Sequence, residues 1–166
     1  MIRPFLMVPD KRLRTVCTPV EQVDDHVRAV WRDMLDSMYA MPGVGLAAPQ
    51  IGEMLRLAVV DCSETHDAPL RMANPEILHA SVKMRSHDEG SPNLPGLWAS
   101  VERPRAITAR FLDEHGEIVE QDFVGIWATS VQHQIDHLNG KLFFDHLSPV
   151  KRKMMLAKHA KNMKRR

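Results

Sequence analysis

Two histidines, His133 and His137, lie four residues apart in a segment that ends with Asn139-Gly140. On an α-helix this spacing puts both side chains on one face, one turn apart, where two imidazoles can approach a single metal ion. Glycine is the residue that most often follows a helix end, because it adopts the left-handed conformation at little cost. The sequence therefore predicts a helix over Ile126–Asn139, around which the rest of the chain is organised.

The residue directly after the first histidine is Gln134. In metalloproteases with the pattern H-E-x-x-H, the glutamate at this place is the general base. A neutral amide cannot take a proton from a metal-bound water. The motif therefore keeps its two metal ligands and lacks its base.

Length and composition indicate one globular domain, since 166 residues are enough to bury a sizeable core. No apolar run is long enough to span a bilayer, and no signal-peptide pattern opens the chain. The two cysteines, Cys17 and Cys62, are far apart and form no C-x-x-C pair. We expect reduced thiols in a cytoplasmic protein that has no membrane segment.

Charge is distributed unevenly along the chain. Residues 151–166 hold eight Lys or Arg and no acid, which leaves 14 of the 22 basic residues beside all 21 acidic ones. Such a split suggests that the C-terminal segment contacts a polyanion. The alternative is a solvated terminal helix without a partner.

The remaining pattern predicts a mixture of helices and strands. Apolar residues recur at helical spacing over Asp24–Met41, and Pro149 suits the first turn of a basic C-terminal helix. Residues 85–95 are expected to be a loop, and Asn74-Pro75 a turn between two short strands. Strands are predicted at Arg56–Cys62, Pro69–Ala73, Glu76–Met84, Ala106–Leu112 and Ile118–Phe123, the last two joined by a hairpin at 113–116. We divide the chain into a domain over 1–150 and its helical tail over 151–166.

Three separated segments resemble the motifs of the peptide deformylase family. The family patterns G-x-G-L-A-A-x-Q, E-G-C-L-S and Q-H-E-x-D-H correspond in order and spacing to Gly43–Gln50, Glu89–Asn93 and Gln132–His137. The resemblance extends from about Arg3 past His146. The first motif is complete, the third has one change, and the second has several.

The resemblance implies an α+β fold in which antiparallel β-sheets pack around the central helix with the H-x-x-x-H pattern, with further helices near the two ends. It also implies removal of the N-formyl group from the initiator methionine of nascent bacterial peptides. Family members use Fe(II), or Zn(II), Ni(II) or Co(II) in its place. Their ligands are the cysteine of the second motif and the two histidines of the third, and the glutamate between those histidines is the base.

Several positions carry over from the family. His133 and His137 match the imidazole ligands, and Gln50 matches the side chain that holds the oxyanion. The backbone that pairs with substrate corresponds to Val44, Gly45, Leu46 and, in the second motif, Gly90.

Other positions depart from the family, and each departure has a chemical consequence. Ser91 replaces the cysteine ligand, and a neutral hydroxyl is a poor substitute for a thiolate. Pro92 replaces the residue whose N–H holds the oxyanion, and proline has none. Gln134 replaces the base, Asn93 replaces a serine, and Trp98 lies near where relatives often have arginine.

These departures favour a protein that is folded like the enzyme and is catalytically impaired or inactive, with Fe(II), Zn(II) or Ni(II) weakly bound or absent. One alternative is an active hydrolase with a rebuilt site, in which His87, Asp88 or Glu89 supplies a third ligand. Another is a non-catalytic protein that binds the ribosome through Lys151–Arg166. The expected partner of the groove is the N-terminus of a nascent peptide.

Overall fold

The computed structural model describes the whole chain, Met1–Arg166, as a mixed α+β fold. Its helices are α1 (Asp25–Ala40), α2 (Gly125–Leu138) and α3 (Pro149–Lys164). Its strands are β1 (Gly45–Ala47), β2 (Leu57–Val60), β3 (Leu70–Ala80), β4 (Met84–Glu89), β5 (Ala99–Pro104), β6 (Ala106–Leu112) and β7 (Ile118–Val124). None of the helices is both long and apolar enough to cross a membrane.

The main sheet is antiparallel and has five strands in the order β1-β2-β3-β6-β7, with an apolar cluster on each face at β2. Side chains alternate along β2, so that Leu57 and Val59 pack against α1 while Ala58 and Val60 pack against α2. This places α2, with both histidines, in the interior. The predicted α+β architecture around a central histidine-bearing helix is confirmed.

A second, two-stranded sheet of β4 and β5 lies beside α2. An apolar cluster joins β5 to the chain's first residues and to the segment before α3, through buried Val8, Leu94, Val101, Phe143 and Phe144. Helix α3 packs partly buried Met155 and Leu156 against this cluster. Its only buried residue is His159, whose Nε2 lies 2.7 Å from the carbonyl oxygen of Val8.

The helices, most strands and the hairpin were predicted to within a few residues. The predicted turn at Asn74-Pro75 is wrong, because β3 runs through it as one strand. Asn74 has a φ of 51°, its side chain bonds to the backbone N–H and C=O of Val20, and the pairing with β6 shifts register there. The two residues therefore form a bulge in a strand and not a turn between strands.

The predicted loop over residues 85–95 is wrong in its first half. Residues Met84–Glu89 pair in register with Ala99–Pro104, a strand that the sequence pattern did not indicate. Strand β4 was not predicted because its side chains are mostly polar and because its pairing partner, β5, begins ten residues after β4 ends. The pairing has one consequence for the site, since it brings the buried Glu89 to the end of a strand beside α2.

Gly140 ends α2 in a place where a side chain does not fit. Its φ is 73°, and a Cβ there would lie 2.4 Å from the carbonyl oxygen of Arg14. We predict that Gly140→Ala lowers the free energy of unfolding by about 2–4 kcal/mol, because backbone strain and a backbone clash add. Urea denaturation measures it.

Gly96→Ala is the matched control, since Gly96 has a φ of 77° and nothing within 4 Å of a Cβ. It should cost only the strain of the left-handed conformation, about 1 kcal/mol. Equal losses for the two variants would contradict the clash at residue 140.

Candidate functional site

A cavity of about 410 Å³ opens between the edge strand β1, the segment after β4 and the face of α2. It brings together residues from all three family-like motifs. Its lining includes Val44, Gly45, Gln50, Glu89, Gly90, Ser91, Pro92, Trp98, His133 and Gln134. His137 lies behind His133, and Leu46 is buried in the core below the cavity.

The two histidines of α2 face each other. Their Nε2 atoms are 3.1 Å apart, and both side chains are buried. Nδ1 of His133 lies 2.7 Å from the Oε1 atom of Glu89, whereas Nδ1 of His137 has no partner. Because an ionised carboxylate only accepts hydrogen bonds, Nδ1 of His133 carries a hydrogen and donates it to Glu89.

A buried ion cluster fixes this arrangement. Arg103 of β5 donates from Nε and Nη2 to the two carboxylate oxygens of Glu89, at 2.7 and 2.9 Å, and from Nη1 to Asp136 at 2.9 Å. Glu89 and Arg103 are each about 4–5% exposed, so the charges are paired with little help from water. Three elements, β4, β5 and α2, are thereby held together at the floor of the site.

The cluster also sets the protonation states. Burial alone would raise the pKa of Glu89, but the hydrogen bond from His133 and the contacts with Arg103 outweigh it and lower that pKa to about 2. Burial, with smaller contributions from the charges of Arg103 and Arg14, keeps the pKa of His137 well below its usual value. Glu89 is therefore ionised and His137 neutral near pH 7.

Ser91, at the position of the family's cysteine ligand, is part of a hydrogen-bond network. Its Oγ donates to the Oδ1 atom of Asn93 at 2.9 Å and accepts from the Nε2 atom of Gln50 at 3.2 Å. Its hydroxyl hydrogen is therefore used within the protein.

Gln50, at the oxyanion position, is held by the same network. Its Nε2 also donates to Oδ1 of Asn93 at 2.7 Å, and its Oε1 accepts from the backbone N–H of Ala47 at 2.8 Å. Both amide hydrogens are therefore engaged by neighbouring side chains. Asn93 in turn donates to the carbonyl oxygen of Leu6, so its orientation is fixed as well.

Gln134, at the position of the base, packs against the backbone of β1. A Cβ at Gly45 would lie 2.4 Å from its Nε2 and 2.5 Å from Oγ of Ser130, so a larger residue there would displace these side chains. Gln134 is 4% exposed, and its Oε1 has no hydrogen-bond partner. The side chain thus retains the shape of the family's glutamate, with a neutral amide directed at the cavity.

The donor set does not fit a tightly held metal ion of the family's kind. Two imidazoles remain, but the third position is a serine hydroxyl already bonded to Asn93 and Gln50. No group of three His, Cys, Asp or Glu side chains is brought together as ligands. A thiolate would supply the negative charge that this set lacks.

The alternative of a loop rebuilt around a third ligand has no support in the geometry. Both carboxylate oxygens of Glu89 are engaged by Arg103 and His133. His87 and Asp88 line the cavity, but neither joins the two histidines in a group of three possible ligands. Arg103 was not predicted as a residue of the site, because its partners are fourteen or more residues away and no local pattern marks it.

We predict that Glu89→Gln destabilises the protein in a pH-dependent manner. Because the folded-state pKa of Glu89 is about 2 against 4.5 for the free group, its ionisation contributes about 3 kcal/mol above pH 4.5. That contribution is lost as the pH falls toward 2. Unfolding of both proteins in urea, at pH 7 and at stepwise lower pH, measures the difference between them.

The difference should be largest at neutral pH and shrink below pH 4.5. Asp10→Asn is the control, since Asp10 is a carboxylate paired with Arg12 on the surface and should give little difference at any pH. A stability difference between wild type and Glu89→Gln that does not change with pH would contradict the buried ion cluster.

Comparison with known proteins places the chain in one family. The family model described as polypeptide deformylase matches residues 2–153. A peptide deformylase of Afipia carboxidovorans is 45% identical over 165 residues, covering 98% of this chain and 96% of that protein. The chain is also similar to the peptide deformylase of Legionella pneumophila, with a TM-score of 0.92 at 42% identity over 99% of this chain and 96% of that one.

A third relative carries a ligand. The crystal structure of a peptide deformylase from Acinetobacter baumannii with bound Met-Ala-Ser has a TM-score of 0.83 and 30% identity, covering 89% of this chain and 99% of that one. Together with the three motifs around one cavity, these matches show that the chain belongs to the peptide deformylase family.

Proposed function

We propose that this member of the family binds the N-terminal residues of a peptide without hydrolysing them. The observation that carries the proposal is the network of Ser91, Asn93 and Gln50. It engages the side chains at the cysteine and oxyanion positions with each other. They are therefore not free to hold a metal or to stabilise a developing charge.

Three separate requirements of amide hydrolysis are affected. Gln134 cannot act as general base or acid, a contribution typically worth about 10²–10⁴ in rate. Pro92 has no N–H to donate, and loss of one oxyanion donor typically costs about 10²–10³. Without a thiolate at residue 91, the two imidazoles would hold a divalent ion only weakly. The ion would then not be in place to activate the water that serves as nucleophile in metal-dependent hydrolysis.

The peptide-binding part of the cavity is retained. Strand β1 is at the edge of the main sheet, so one side of its backbone is free to pair with an extended peptide. Gly45 of this strand and Gly90 after β4 both line the cavity. The Acinetobacter relative binds Met-Ala-Ser, which makes a methionine-initiated peptide the ligand that we propose here.

The test is formate release from a formyl-methionyl tripeptide, using protein purified without oxygen and supplied with excess Fe(II) or Ni(II). We predict no release above background from the wild-type chain, because base, oxyanion donor and thiolate are all missing. Binding of the same tripeptide, measured by calorimetry, should still be detected. Turnover near the enzyme median of about 10 s⁻¹ would contradict the proposal and favour the alternative of an active, rebuilt site.

A reversion series is the matched control. Ser91→Cys, Pro92→Leu, Asn93→Ser and Gln134→Glu together restore the family's residues and should restore formate release. Without Gln134→Glu, the remaining triple variant should be slower by about 10²–10⁴. A quadruple variant that folds, binds metal and still releases no formate would show that activity is lost for another reason.

We also propose a second role, contact with a polyanion such as the ribosome, through the exposed face of α3. Five lysines of this helix are exposed, namely Lys151, Lys153, Lys158, Lys161 and Lys164. No acidic residue lies in the helix to pair with them. The helix is anchored by its other face, so the basic face is presented as a rigid surface.

The triple variant Lys153→Glu, Lys158→Glu and Lys161→Glu should lose most co-sedimentation with ribosomes at low salt, because phosphate neutralisation drives such binding. The control makes the same charge change elsewhere, at exposed Lys11, Lys83 and Lys141. Equal loss in both variants, or none in the first, would contradict a role for this helix.

A further inference from the structure

Trp98 separates two cavities and lines both of them. It is part of the wall of the 410 Å³ cavity described above and of a second groove of about 310 Å³. Its side chain is 67% exposed, which is unusual for so large an apolar group. The indole lies flat on the backbone of Gly90, since a Cβ at that glycine would be 2.6 Å from the ring.

The second groove runs from Trp98 to helix α3. Its walls are mostly apolar, and one basic side chain stands at its rim; the lining is Trp98, Ala99, Ser100, Leu147, Lys151, Met154 and Met155. Met154 is 67% exposed, and it covers no part of the core. An indole and a thioether facing an open groove form an apolar surface of the kind that adapts to varied side chains.

We propose that this groove holds the continuation of a peptide whose first residues occupy the main cavity. The proposal rests on the peptide-binding function inferred above and extends it to later positions. The occupant is an extended segment with apolar side chains. Trp98 acts as the shared wall, with one side toward the early residues and the other toward the later ones.

Continuity is the reason to assign the groove to the same peptide. An extended chain that leaves the cavity past Gly90 meets the indole next, because Trp98 is packed on that glycine. Beyond it the groove offers Met154 and Met155 for apolar side chains and the Lys151 ammonium for a carbonyl or carboxylate oxygen. A stable dimer interface buries about 1,200–2,000 Å², far more than a groove lined by seven residues can offer to a second copy.

The experiment compares two methionine-initiated peptides that share their first three residues. One is a tripeptide, and the other an octapeptide with leucines at its fourth and sixth positions. Binding is measured by calorimetry and by tryptophan fluorescence, in which Trp98 is the strongly exposed reporter. The octapeptide should bind about tenfold more tightly and shift the emission to shorter wavelength, because it buries additional apolar surface.

Met154→Ser and Val150→Ser form the matched pair of variants. Both residues lie on α3 with nearly equal exposure, 67% and 69%, but only Met154 lines the groove. We expect Met154→Ser to lose most of the tenfold gain, measured against its own tripeptide affinity, and Val150→Ser to keep it.

The outcomes separate the two proposals. If the tripeptide binds but the octapeptide gains nothing, or if both serine variants lose equally, the extended groove is refuted and the main peptide site stands. If neither peptide binds, the peptide-binding function fails, and the extension fails with it.

Discussion

Arg103 is the residue through which the parts of the site are joined. Its guanidinium pairs with Glu89 at the end of β4 and with Asp136 on α2, while Arg103 itself belongs to β5. Removing one partner of such a buried pair typically costs about 3–5 kcal/mol, because the other charge is left without compensation. The orientation of His133 follows from the same cluster, since Glu89 accepts from its Nδ1.

This buried ion cluster is present although residues of the family's motifs differ on the cavity side of it. Glu89 still accepts a hydrogen bond from Nδ1 of His133, as carboxylates behind the histidine ligands of metal sites do. The residues that depart from the family's motifs, at positions 91, 92 and 134, line the cavity. Asn93 bonds both Ser91 and Gln50 and leaves these serine and glutamine side chains satisfied. Gln134 differs, because its buried Oε1 has no hydrogen-bond partner.

Much of the fold followed from local signals. The helix over α2 was predicted from the spacing of two histidines and a following glycine, and the β6–β7 hairpin from a turn sequence between apolar alternations. The errors share one cause, namely dependence on distant partners. Residues 84–89 are mostly polar and form a strand because residues 99–104 pair with them. Asn74 continues a strand only because Val20 satisfies its side chain.

For the site, the residues that local motifs mark were predicted, and the residues whose role depends on distant contacts were not. Motif positions gave the cavity-lining residues, but Arg103 carries no local signature and was missed. The role of Asn93 was also not predictable, because it depends on how the side chains of residues 50 and 91 meet in space. The sequence identified which residues had changed, and the structure shows how the changed residues bond to one another.

Metal affinity tests the central claim most directly. Zn(II) binding to the wild-type chain and to Ser91→Cys can be compared by competition with a chelator, in matched anaerobic preparations. Our account predicts that the wild-type chain binds at least about 100-fold more weakly, because loss of a partner behind a ligand already costs about 10–100-fold and here the thiolate ligand itself is missing. Equal, tight binding of one ion by both proteins would contradict it, and would mean that the histidines and another group hold a metal without the cysteine.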